Sequence, residues 1–111
     1  MSKGSIAHET DAQIVVAGSI EVRPEDQEQF FDVLRAHVPR VLHKEGCLAY
    51  SFSMDLVNTS VVRMSELWLD LPSLQKHLSS DEFQDTLKQL AGIEFLDRRV
   101  YRFEISEATA L

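Results

Sequence analysis

Residues 48–68 read LAYSFSMDLVNTSVVRMSELW, and two alternations of period two run through them. Leu48, Tyr50, Phe52 and Met54 share one face of the first; Val62, Met64, Glu66 and Trp68 share one face of the second. Val57-Asn58-Thr59-Ser60 lies between them and supplies the turn. Two strands this close along the chain pair as an antiparallel hairpin. Its apolar face must be covered by the elements on either side.

Upstream, IVVAGSIEV (14–22) is β-branched, with Ile14, Val16, Ile20 and Val22 on one face. Val15 and Ala17 make the other face partly apolar, which predicts cover on both sides. Pro24-Glu25-Asp26 reads as a helix start, with proline at the first position and acids in the first turn. The helix is expected to run to about Lys44, with Phe30, Phe31, Leu34, Val38, Val41 and Leu42 in one sector. Pro39 predicts a kink inside it, and Gly46 a left-handed cap.

Downstream, Asp70-Leu71-Pro72 opens a short helix carrying Leu74 and Leu78. Ser79-x-x-Glu82 forms a capping box, so a further helix begins near Ser80, with Phe83, Leu87 and Leu90 as its stripe and its end near Gly92. RRVYRFEI (98–105) is the last strand. The order β-α-β-β-α-β is that of a ferredoxin-like α+β domain with an antiparallel sheet, spanning 14–105 between loose tails at 1–13 and 106–111. Helices cover one face of such a sheet. The apolar residues left on the other predict a homodimer packed sheet to sheet.

Bulk properties remove several functions. The chain has 111 residues and a formal net charge of −7, the wrong sign for holding nucleic acid or an anionic membrane surface. A single cysteine, Cys47, precludes an intrachain disulfide. Neither a signal-like apolar run nor a membrane-length segment is present, and the expectation is a cytoplasmic protein. The four histidines, His8, His37, His43 and His77, lack the pairing of a metal site. His37 falls at the edge of the first helix's apolar sector. No phosphate loop or nucleophile elbow occurs.

The candidate chemistry lies in SELWLDLPSLQKHLSSDEF (65–83). Trp68, the sole tryptophan, is either a core residue or a cavity wall, with its N–H needing a partner. Glu66 shares its face, and burial there calls for a Lys or Arg partner or a polar site, the ion pair being favoured. His77 stands three residues after Leu74, so its ring is expected at the rim of a cavity shared with Trp68, where its removal costs little stability. An imidazole near pKa 6.5 suits proton abstraction at neutral pH.

Taken in order, the Pro-acid helix start, HKEGCLAYSFSMD (43–55), SELW (65–68) and LQKHLSSDEF (74–83) resemble the antibiotic-biosynthesis monooxygenase (ABM) family of dimeric α+β barrels. The resemblance implies a pocket between the sheet and its own helices, with a histidine at the place of His77 lining it in several relatives. It also implies a range of chemistries: cofactor-independent oxygenation of aromatic compounds, haem degradation, isomerisation and quinol oxidation. Haem-degrading relatives use an asparagine in the first strand, where this chain has Gly18, and aromatic-oxidising relatives use one in the third, near Met64 here. The expectation is a metal-free, cofactor-free monooxygenase acting with O₂ on a small phenol, quinol or enolisable aromatic compound. His77 and Trp68 are its catalytic residues, and Tyr50, Glu66, Met64 and Phe83 its substrate pocket. A non-redox isomerase and a non-catalytic ligand-binding dimer are the alternatives.

Overall fold

The structure, a computed structural model, describes residues 8–111. Four strands, β1 (Ile14–Val22), β2 (Cys47–Met54), β3 (Val61–Trp68) and β4 (Phe95–Glu104), form one antiparallel sheet in the order β2-β3-β1-β4. Helix α1 (Gln27–Leu42) connects β1 to β2, while α2 (Leu71–Leu78) and α3 (Asp81–Leu90) connect β3 to β4. This is the ferredoxin-like α+β arrangement that the sequence pattern predicts, with its second helix divided in two. The division follows from the caps. The Asp70 side chain accepts from the Ser73 N–H ahead of Pro72, and the Ser80 hydroxyl accepts from the Phe83 N–H and restarts the helix.

All three helices pack on one face of the sheet. Register puts Ile14 opposite Trp68, Val16 opposite Glu66 and Ile20 opposite Val62, and sets Tyr50 beside Glu66 and Phe52 beside Met64. These residues meet Phe30, Leu34 and Val41 of α1 and Leu74 of α2 in two adjoining apolar clusters. Each large side chain buried in this way contributes roughly 1.5–3 kcal/mol. The opposite face carries Val15, Ala17, Leu67, Tyr101 and Phe103, with the last two rings half exposed. The register of Tyr50 and Phe52 thus faces the helices, while a register shift between Cys47 and Ala49 packs Cys47 rather than the expected Leu48 on the core, and a smaller apolar patch stays outside.

Several boundaries differ from the sequence reading. β4 begins at Phe95, three residues before the expected start, because Phe95 pairs with Val22 across a register shift and packs edge-on against Phe30 at 5.8 Å. Residues 8–13 of the expected tail are anchored: Ala12 is buried, and Gln13 bonds to the Trp68 carbonyl and to the Ile105 N–H, extending the β1 ladder. The rest of that expectation, residues 1–7, lies outside the described residues. Pro39 stands inside α1 without ending it, and the Arg40 Nε beside it donates back to the Ala36 carbonyl at 3.0 Å. Gly46 does not cap α1, which closes at His43. It turns the chain with φ +82° where a Cβ would lie 2.1 Å from Ser73 Oγ, so glycine lets the start of α2 approach the turn. Gly18 has a similar reason, since a Cβ there would lie 1.8 Å from the Arg99 carbonyl oxygen.

Candidate functional site

Sheet and helices do not close completely over one another. A cavity of about 320 Å³ lies between them. Val16, Ile20, Met64 and Glu66 form its floor, Leu34 and His37 of α1 and Phe83 and Thr86 of α3 its roof, and it reaches Arg98 and Arg102 on β4. Its lining is mainly apolar, so the few polar groups inside it stand out.

Glu66 is one of them. Strand alternation aims its carboxyl at the cavity, where it is buried and its Oε1 accepts from the Trp68 indole Nε1–H at 2.8 Å. No ion pair reaches it among the described residues, because Arg63, the cation on the same strand, pairs with Asp55 across the other face at 2.8 Å. The expected ion pair is therefore replaced by a single neutral donor. Burial favours the uncharged acid and pushes the Glu66 pKa up to about 7, against a smaller lowering by the indole.

A second unit runs through Tyr50, His37 and Thr86. The Thr86 hydroxyl donates to the Glu82 carbonyl one turn earlier at 3.1 Å, so towards His37 Nδ1, 3.0 Å away, it can only accept. The proton of His37 is thereby fixed on Nδ1. His37 Nε2 is left to accept from the Tyr50 hydroxyl at 3.1 Å. Burial lowers the His37 pKa, and burial followed by the nearby Glu66 charge raises that of Tyr50, so both stay neutral.

His77 belongs to a third unit. Its ring stacks on Trp68 at 5.1 Å and meets Phe83 at 4.7 Å. Lys44 Nζ donates to His77 Nδ1 at 2.8 Å and to Ser80 Oγ at 3.1 Å, and pairs with Glu82 at 3.0 Å. Nδ1 is thus the acceptor and Nε2 carries the proton, buried without a partner. Burial, then the Lys44 charge, lowers the His77 pKa to about 4. The expectation of a His77 ring at the rim of the main cavity is corrected. Its ring is fully buried behind the wall and borders a smaller cavity with Lys44, Lys76 and Ser80. Trp68 is likewise fully buried and does not line the main cavity.

Four of the six residues singled out in the sequence, Tyr50, Met64, Glu66 and Phe83, line the cavity together, and Trp68 and His77 stand directly behind them. His37 and Thr86 were not singled out. Their signal was a polar residue inside an apolar helical stripe: His37 falls between Leu34 and Val41, and Thr86 between Phe83 and Leu90. Cys47 packs against the core, and burial raises its thiol pKa to about 11. Among the described residues, no three His, Cys, Asp or Glu side chains gather closely enough to hold a metal, and no helix is long and apolar enough to cross a membrane.

Fold and site define a small α+β protein with an apolar chamber under its helices and a set of buried, proton-carrying side chains along one wall. The antibiotic biosynthesis monooxygenase family model matches residues 13–89, and the chain belongs to that family. A proposed antibiotic biosynthesis monooxygenase from Deinococcus radiodurans superposes with TM-score 0.80 at 20% identity, over 88% of this chain and 97% of that one. A conserved protein from Methanosarcina mazei superposes with TM-score 0.75 at 26% identity, over 90% and 97%. An uncharacterized protein of Synechocystis sp. is 25% identical over 101 residues, 91% of this chain and 69% of the relative.

Proposed function

We propose that the protein oxygenates a small phenol, quinol or enolisable aromatic compound with O₂ and no cofactor, in the chamber under α1 and α3. The observation that carries this reading is Glu66, a buried carboxyl held near pKa 7 at the floor of an apolar cavity. A base of that pKa accepts a proton at neutral pH and returns it later in the same cycle.

For a substrate with an acidic ring CH₂ beside a carbonyl, the ionised Glu66 takes one C–H proton and leaves a delocalised oxyanion. That anion gives one electron to O₂, and the resulting radical and superoxide combine into a C–O–O⁻ peroxide. Glu66 returns its proton to the terminal oxygen. Loss of the second C–H proton and cleavage of the O–O bond release water and leave a ketone. One O₂ supplies the ketone oxygen and the water, and two hydrogens leave the carbon. Tyr50 supports the first step: turning its O–H from His37 Nε2 to the substrate oxygen would hold the oxyanion in a site that excludes water. Trp68 and His77 act in this reading as positioning residues. The indole fixes the carboxyl, and the imidazole fixes the indole.

The protein acts as a homodimer joined through the open sheet face in the same reading. The support is the patch of Val15, Ala17, Leu67, Tyr101 and Phe103, too apolar to leave facing water.

The test is oxygen uptake by metal-free protein across a panel of quinols and anthrones. Uptake of one O₂ per ketone formed, with one atom of ¹⁸O₂ in the product, is the expected result. The absence of uptake over the whole panel would overturn the reading, and isomerised product without uptake would replace it with a non-redox one.

A further inference from the structure

We propose that Arg98 and Arg102 select an aromatic substrate that carries an anionic group, a carboxylate or a phosphate ester, with that group held at the β4 side of the chamber. The inference rests on the reading of the chamber as the substrate site and is independent of the chemistry done there.

The register places both arginines on the helix side of the sheet. Arg98 pairs with Ile20, Val100 with Gly18 and Arg102 with Val16. Ile20 and Val16 belong to the chamber floor, so the two guanidinium-bearing side chains stand on the edge strand beside it, and both line the cavity. β4 is an edge strand with no neighbour beyond it among the described residues, and Arg98 and Arg102 are both exposed. An anion entering past this edge meets them before it meets Glu66.

Their charge is unspent. The chain has 18 acidic and 11 basic residues, so an arginine on its surface finds a carboxylate easily. Arg23, Arg35, Arg40, Arg63 and Arg99 each lie within 4 Å of one. Arg98 and Arg102 form no such pair among the described residues, although Glu104 lies two residues beyond Arg102 on the same strand face. Arg99, between them on the opposite face, is paired with Asp97 at 2.8 Å. Two unpaired guanidiniums beside an apolar cavity in an acidic protein suit a ligand that supplies the missing anion. The apolar lining would take the ring, and the planar forks would take the carboxylate or phosphate oxygens.

The test is calorimetric titration of the full chain with matched pairs: benzoate, 2,5-dihydroxybenzoate and 1-naphthoate against their methyl esters, and 1-naphthyl phosphate against 1-naphthol. The anionic member should bind about tenfold tighter or better, with the gap closing as salt is raised. Arg98→Gln with Arg102→Gln should erase the gap by weakening the anionic members at least tenfold. Arg98→Lys with Arg102→Lys should keep part of it. Both pairs of changes sit on an exposed edge, so unchanged thermal melting checks the fold. The pair with the widest gap identifies the preferred anion. Equal affinity within every pair, a gap that survives the double glutamine variant, or no binding by any ligand would overturn the proposal. Oxygen uptake is recorded separately. A preference without uptake would sink the oxygenase reading alone, and uptake without a preference would sink this one alone.

Discussion

Replacing Glu66 by Gln tests the site at its centre, because the two side chains have the same shape and differ in whether they ionise. The amide oxygen of the variant would still accept from the Trp68 indole, so packing and the 2.8 Å hydrogen bond should survive. What changes is the linkage to pH. Burial raises the folded-state pKa from 4.5 to about 7, so the wild-type carboxyl binds its proton more tightly folded than unfolded. Such a group supports the fold fully below the unfolded pKa, and the support drains away as pH rises through the folded one. At about 1.4 kcal/mol per unit, this raised pKa corresponds to a loss of up to roughly 3 kcal/mol. The variant loses nothing. It should therefore melt close to wild type near pH 4, and progressively higher than wild type as pH rises, with the difference levelling off above about pH 8. For a domain of this size each kcal/mol moves the midpoint by about 4 °C, so the plateau should lie near 10 °C. Paired melting curves by circular dichroism between those limits read this directly. A melting difference that does not change with pH would refute the reasoning, since Glu66 would then titrate as it does in water. Oxygen uptake should fall at least a hundredfold in the same variant if Glu66 is the base, as general-base catalysis contributes about 10²–10⁴.

Tyr50→Phe should leave His37 Nε2 without its donor and reduce turnover while shifting stability by about 1 kcal/mol, measured as kcat beside a denaturant melt. His77→Ala should cost on the order of 3 kcal/mol, because it empties a buried site between Trp68 and Phe83, and chemical denaturation would expose a smaller value as a sign that the site collapses or is wet. Gly18→Ala should abolish cooperative unfolding, because its Cβ would fall 1.8 Å from the Arg99 carbonyl, and a normal near-ultraviolet spectrum would contradict that geometry. Phe103→Asp on the open sheet face should turn the proposed homodimer into a monomer by light scattering at micromolar concentration, and a mass equal to wild type would sink the proposal that this face is the interface.

The fold was legible because its signals are local and repeated. Period-two alternation marks β2 and β3, and Asp70, Pro72 and Ser80 mark where the helices start. Cavity membership was legible for Tyr50, Met64, Glu66 and Phe83, because strand alternation and a helical stripe fix which way a side chain faces. Depth was not. Whether His77 reaches a rim or lies behind it depends on how far α2 sinks towards the sheet. That depth is set by Gly46 admitting Ser73 and by Trp68 stacking on the ring, contacts between residues far apart in the chain. The partner of Glu66 is hidden in the sequence for a related reason: Arg63 is near it along the chain but points to the other face, and the indole two residues along points the same way.

The perturbed groups in and behind the chamber wall share one leading cause. Burial favours the neutral form, which raises the pKa of an acid and lowers that of a histidine. Tyr50 and Cys47 are pushed up, while His37 and His77 are pushed down, both with help from the Lys44 charge. Of the acids shifted by burial there, Glu66 alone is left with a pKa near neutrality. The chamber therefore carries at most one negative charge of its own at neutral pH, on Glu66. A substrate anion formed beside an already ionised Glu66 would put two like charges in one poorly screened space. Proton transfer from substrate to Glu66 avoids this, because it moves the single charge from protein to ligand without adding another. The same restriction favours an anionic anchor on the substrate at the β4 side of the cavity, against Arg98 and Arg102, where its charge is matched by the guanidiniums one strand beyond Val16.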